Sequence, residues 1–123
     1  MIIYLAGGMK TGWQDRVAAH LAGHELLDPR SWSDPDPKIY TERDLSAIRK
    51  SDALLVQMGS DNPSGFGLSV ELGYAKALCK HIVFLDQISD DWRSRYFGMH
   101  REMADKVCTT VDEAITAIMA LSN

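Results

Sequence analysis

The chain alternates short apolar runs with segments whose apolar positions recur every three or four residues. "IIYLA" (Ile2 to Ala6) predicts a strand that breaks at Gly7-Gly8, and "WQDRVAAHLAG" a helix with Val17 and Leu21 inward and Gly23 at its end. "HELLDP" predicts a short strand stopped by Pro29, followed by "RSWSDPDPK", a Ser/Pro/Asp loop of the kind that carries function. A helix is expected from about Ile39 to Lys50, then a buried strand over "DALLVQM". After a glycine loop, a further helix is expected to run to about Lys80. "HIVFLD" and "KVCTT" predict two more strands, separated by loop and helix over "ISDDWRSRYFGMHREMAD". "VDEAITAIMAL" predicts a closing amphipathic helix.

Strands alternating with helices imply βαβ units and therefore a parallel sheet covered on both faces. The expected fold is α/β: a three-layer α/β/α sandwich with a five-stranded parallel sheet, flavodoxin-like or Rossmann-like. At 123 residues the length suits one domain, residues 1–123. In such sheets ligands bind beyond the carboxyl ends of the strands. That rule puts Gly7, Gly8, Asp28, Arg30 and the loop from Gly59 to Gly67 on the binding edge, and Asp52 on the opposite one.

Within "NPSGFGLSVELGYAKA", Leu68, Leu72, Ala75, Leu78 and Cys79 form one apolar face at ~100° per residue, and Glu71 falls inside it. A solvent-facing glutamate is one reading. However, its neighbours Leu68 and Ala75 offer no cation of the kind surface helices pair with. An enclosed carboxylate at a helix start feels desolvation against the helix dipole, which suits a poorly hydrated nucleophile. Asp44, in "TERDLSAIRK", likewise has no cation at i±3 or i±4 (Tyr40, Thr41, Ala47, Ile48) and borders the stripe of Leu45 and Ile48. It reads as a surface aspartate or as the partner of Glu71. Two carboxylates in different environments can divide into acid and nucleophile across a glycosidic bond.

Tyr4 is a core aromatic or a buried phenol that seeks a carboxylate. Trp13 could stack on a heterocycle or close the end of a core. The loop of Ser64, Gly65 and Gly67 could hold a phosphate or sugar hydroxyl with its N–H groups and the Ser64 hydroxyl. It is neither GxGxxG nor a P-loop. Lys10, Arg30 and the arginines of "WRSRYFGMHR" are cationic candidates for a phosphate.

Composition narrows the classes. The net charge of −4 argues against a binder of polymeric nucleic acid but not against a small nucleotide. Two cysteines outside any CxxC pattern suit a reduced, cytoplasmic setting. The four histidines lack ligand spacing, so no metal site is expected. No apolar run approaches membrane-spanning length and no leader pattern is visible.

Taken together, "IYLAGGM" with a following Trp, "LLDPR", "RDLSAIRKSDALLV", "PSGFGLSVELGYAKALCK" and "HIVFL" resemble the nucleoside 2-deoxyribosyltransferase superfamily, which includes 2′-deoxynucleoside 5′-phosphate N-hydrolases and related nucleotide N-glycosidases. The likeness runs nearly end to end. Its most specific part is "DLxxIxxSDxLL" paired with "GxxxELGYAxAxxK". The resemblance implies that Glu71 is the nucleophile, Asp44 the proton-donating and substrate-orienting carboxylate, and Tyr4 the hydrogen-bond partner of the nucleophile. It implies N-glycosidic chemistry on a small nucleoside or nucleotide with no cofactor. It also implies a homodimer or larger assembly with sites near subunit contacts, for which "WRSRYFGMHREM" is an interface candidate. Many members carry Asp or Ser six residues before the nucleophile; here that position is Gly65, preceded by Ser64. The C-terminal carboxylate that some transferases use has no counterpart in "MALSN". Two other readings stand beside this one. One is a phosphoribohydrolase or NAD-cleaving enzyme; the other is a non-catalytic nucleotide sensor.

Overall fold

A computed structural model describes residues 1–121; Ser122 and Asn123, the end of "MALSN", lie outside the described residues. The described residues form a five-stranded, all-parallel sheet in the order β2-β1-β3-β4-β5. The strands are β1 (Ile2–Gly7), β2 (Glu25–Leu27), β3 (Ala53–Gly59), β4 (His81–Gln87) and β5 (Lys106–Cys108). The helices are α1 (Trp13–Ala18), α2 (Pro37–Lys50), α3 (Phe66–Ala77), α4 (Asp91–Ser94), α5 (Gly98–Met103) and α6 (Val111–Leu121). The expected three-layer α/β/α sandwich is the fold observed.

Strand alternation sorts the core into two halves. Ile3, Leu5, Leu55, Val83 and Leu85 meet Trp13 and Val17 of α1 and Ala114, Ile115 and Ile118 of α6. Tyr4, Ala6, Leu54, Val56, Ile82 and Phe84 face the other way, onto Ala47 and Ile48 of α2 and Leu68, Leu72 and Ala75 of α3. Tyr4 is therefore committed to the α2/α3 side by its parity in β1. The chain leaves β1 toward β2 and returns past it to β3, so the loops after β1 and β3 splay apart above that pair. At the other end of the sheet, Asp52 Oδ2 accepts from Ile2 N at 2.8 Å, far from this crevice.

Three helix boundaries differ from expectation. The first helix stops at Ala18 instead of Gly23. His20 Nδ1 lies 3.0 Å from Arg16 O, the carbonyl that a continuing α-helix would offer to the His20 N–H. That N–H turns to Val17 O instead, and Leu21 is buried by a tight turn, not by a helix. α2 begins two residues early, at Pro37, because Asp36 caps the Lys38 N–H and Pro suits the first helical position. α3 ends at Ala77 instead of near Lys80, through bonds from Lys80 N to Ala75 O and from Cys79 N to Lys76 O. This is a Schellman motif with Cys79 at φ 60°, where glycine is usual. Leu78 and Cys79, expected on the apolar face, are consequently exposed.

Candidate active site

Glu71 stands on the second turn of α3, above β1. The Tyr4 hydroxyl, at the end of a fully buried side chain, donates to Glu71 Oε2. Enclosure by protein pushes the Glu71 carboxyl up to about 7; the Tyr4 hydrogen bond pulls it down and the charge of Asp44 adds to the rise. The Tyr4 phenol is driven far above its ordinary range, by burial first and then by the charge and hydrogen bond of Glu71. It therefore stays protonated and donates at every working pH.

Asp44 lies on the face of α2 that turns toward α3. Its Oδ1 accepts from Trp32 Nε1 at 2.8 Å. Burial raises the Asp44 carboxyl above its ordinary value, and the Trp32 hydrogen bond opposes that rise. Asp44 and Glu71 line one cleft of about 350 Å³, within the ~300–1,000 Å³ range of small-molecule sites. Larger depressions of about 590 and 600 Å³ lie along α2 and beside α6. Neither contains the pair of carboxylates, so size alone does not locate the chemistry.

Glycine geometry shapes the cleft floor and one wall. Gly7 has φ 134°, and a Cβ there would lie 2.1 Å from Gln57 O of the neighbouring strand. Gly65 has φ 71°, with Met58 Sδ and Phe97 Cζ each 2.9 Å from where a Cβ would be. Asn62 Oδ1 accepts from Gly65 N and Ser64 Oγ from Phe66 N, which folds the loop onto the start of α3. From outside, Arg93 donates to the carbonyls of Ser60 and Asn62 while its Nε bonds Asp90.

Of the residues singled out in the sequence, Asp44, Glu71, Gly7, Ser64, Gly65 and Gly67 line the cleft, with Tyr4 directly beneath Glu71. Gly8 and Lys10 line an adjoining recess of about 220 Å³ that shares Gly7 and Asn62 with it. Trp13 does not offer a ring face. It is 2 % exposed and its indole N–H is bound to Gly8 O at 2.8 Å, so it closes the core beneath the loop. Asp28 and Arg30 pair with each other, and Arg30 also bonds Asp15 at 2.7 Å; neither lines the cleft, although Pro29 between them does. Arg93 and Arg101 are similarly engaged, Arg101 with Asp86 at 2.8 Å. Among the described residues the cleft is lined by three carboxylates, Asp34, Asp44 and Glu71, and by no lysine or arginine.

Sequence reasoning missed Trp32, Tyr40, Asn62 and Asp34. An aromatic inside the polar loop "RSWSDPDPK" was the available signal for Trp32, because a tryptophan there must find both a surface to cover and a partner for its N–H. No group of three His, Cys, Asp or Glu among the described residues could hold a metal ion. No helix among them is long and apolar enough to cross a membrane.

No protein-family model matches the chain, and no curated protein matches its sequence. Solved structures do. One is a 2-deoxyribosyltransferase from Leishmania mexicana, 25% identical, covering 69% of this chain and 63% of that one at a TM-score of 0.59. Another is the CMP N-glycosidase BcmB from Clostridium botulinum, 19% identical, covering 96% of this chain and 98% of that one at a TM-score of 0.65. The chain thus spans less than two thirds of the length of the first of these. Both are of the nucleoside 2-deoxyribosyltransferase-like superfamily, so the resemblance carried by the sequence motifs holds at the level of the fold.

Proposed function

We propose that the protein cleaves the N-glycosidic bond of a (2-deoxy)nucleoside or its 5′-monophosphate through a glycosyl-enzyme intermediate on Glu71. The observation that carries this reading is the pair of carboxylates in one cleft, with a buried phenol donating to one of them. The Glu71 carboxylate attacks C1′, the C1′–N bond breaks, and its electron pair leaves with the base, which takes a proton from Asp44. The resulting ester is opened when water or a second base attacks C1′, returning Glu71 to the anion. Asp44, now the carboxylate, accepts the proton of the incoming nucleophile. Tyr4 holds Glu71 in place and offsets part of the cost of its charge in a poorly hydrated site.

The two solved structures named above are enzymes of N-glycosidic bonds, which supports the reaction class. Both cysteines are free, Cys79 exposed and Cys108 buried, as suits a cytoplasmic protein. The protein works as a homodimer or larger assembly with its sites near the subunit contact. Phe66 supports this, because it lines the cleft and is still 78% exposed, as do Val70, Tyr96 and Met99, exposed on the adjoining α3 and α5 region.

The test is incubation with a panel of nucleosides, 5′-monophosphates and NAD, with and without an acceptor base, followed by chromatography. Release of free base is expected; a new nucleoside means transfer, and free sugar alone means hydrolysis. Glu71→Ala should abolish release, and Asp44→Asn should slow it by roughly 10²–10⁴-fold. Unchanged turnover in Glu71→Ala overturns the assignment of the nucleophile. Consumption of AMP or NAD alone favours the phosphoribohydrolase reading, and binding without turnover favours the sensor.

A further inference from the structure

Trp32 ends the 3-10 turn Pro29–Trp32 that follows β2, and both of its ends are tied to adjacent residues of α2. Its indole Nε1 donates to Asp44 Oδ1 at 2.8 Å, and its carbonyl accepts from Arg43 Nη1 at 2.9 Å. Its ring also stands beside that of Tyr4, with centroids 6.4 Å apart and planes tilted by 35°. The turn is thus clipped to the helix at the position of the candidate acid. An indole nitrogen has a hydrogen to give and no lone pair to accept with. While this bond stands, Asp44 Oδ1 is the acceptor, and a proton on Asp44 is favoured on Oδ2, because the carbonyl oxygen of a carboxylic acid accepts better than its hydroxyl oxygen.

We propose that Trp32 is a positioning residue that fixes Oδ2 as the oxygen from which Asp44 delivers its proton. This rests on the reading of Asp44 as the acid. Among the described residues no other side chain donates to Asp44. The groups facing it are Glu71 from α3, Tyr4 from β1 and Asp34 across the cleft; Arg43 is held on the Trp32 carbonyl. Two of these are further carboxylates, which makes the single neutral donor decisive for how the Asp44 carboxyl is turned. Without it the carboxyl could rotate, present either oxygen to the leaving base, or rebind its proton on the side away from the substrate.

The decisive variant carries β-(3-benzothienyl)alanine at position 32, a ring isostere of tryptophan in which sulfur replaces the N–H. It preserves the packing on Tyr4 and removes only the donor; Trp32→Phe is the simpler companion. In base release, kcat should fall roughly 10- to 100-fold, as for a misdirected catalytic group, with KM within about threefold. In a Glu71→Gln background, which removes the coupled neighbour, the carbon-13 signal of the Asp44 carboxyl should titrate at higher pH once the donor is gone. In the Trp32 protein the indole N–H resonance should move with the midpoint of Asp44. An unchanged kcat in the isostere protein overturns the proposal, as does an Asp44 midpoint that ignores the substitution. If the protein releases no base from any substrate, the functional reading falls. The two titrations then still decide whether the Trp32 N–H holds the Asp44 carboxyl, the contact on which the assignment of Oδ2 depends.

Discussion

Glu71 meets two opposed demands, to be an anion for chemistry and to sit among Leu68, Leu72 and Ala75 for folding. Its carboxyl ionises at about 7 in the folded chain against an ordinary 4.5. The folded state therefore holds this proton more tightly than the unfolded state. The resulting stability is complete below pH 4.5 and is lost as pH rises through 7. Glu71→Gln should accordingly stabilise the protein at pH 8 relative to wild type by something on the order of 2 kcal/mol, with the gain shrinking to near zero at pH 4. Urea unfolding at the two pH values measures it, and a difference that does not depend on pH would show that Glu71 is well hydrated. This residue was legible in the sequence because its neighbours at i−3 and i+4 carry no charge. Trp32 was not, because its partner is twelve residues away and the two meet only once the loop has folded onto α2. The sequence leaves Trp13 open between stacking on a heterocycle and closing a core for a related reason. Topology puts it at the binding edge, but the direction of its ring is decided by the carbonyl of Gly8, which binds the indole N–H.

At the scale of elements, the site depends on where α3 begins, and Gly65 sets that point. A left-handed residue there turns the loop into the helix axis, while Asn62, Ser64 and Arg93 hold the loop itself. Gly65→Ala forces a side chain into the left-handed region, at about 1–2 kcal/mol, and onto Phe97 and Met58, which adds to the loss. The protein should unfold at lower urea, and base release should fall because Glu71 rides on the displaced helix. Unaltered stability would mean that the loop has room to re-form. Glycine next to a helix start was readable in "PSGFG". The end of α3 was not, because the left-handed cap falls on Cys79 where glycine is the usual signal. The premature end of α1 was hidden similarly, in one histidine ring held at a backbone carbonyl.

The whole molecule separates its tasks along the strands. The amino ends are closed by Asp52 on the Ile2 N–H, and the carboxyl ends open into the cleft. That polarity, like the sheet itself, follows from the alternation of strand and helix patterns and the crossing of the chain from β2 past β1 to β3. Because these patterns repeat along the chain, the architecture could be read where single contacts could not. What no pattern within one chain can specify is the company it keeps. Phe66, Val70 and Met99 are 78%, 67% and 73% exposed, an apolar set out of keeping with a face left to water. Phe66 also borders the cleft, so a second copy covering this face would narrow the entrance and exclude water from Glu71. Light scattering on the eluting protein should give the mass of a dimer or a larger assembly. Val70→Asp puts a charge on that surface without touching the cleft, so it should shift the mass to the monomer and lower base release together. A wild-type protein that is monomeric at every concentration and fully active would instead mean that one chain encloses its substrate alone.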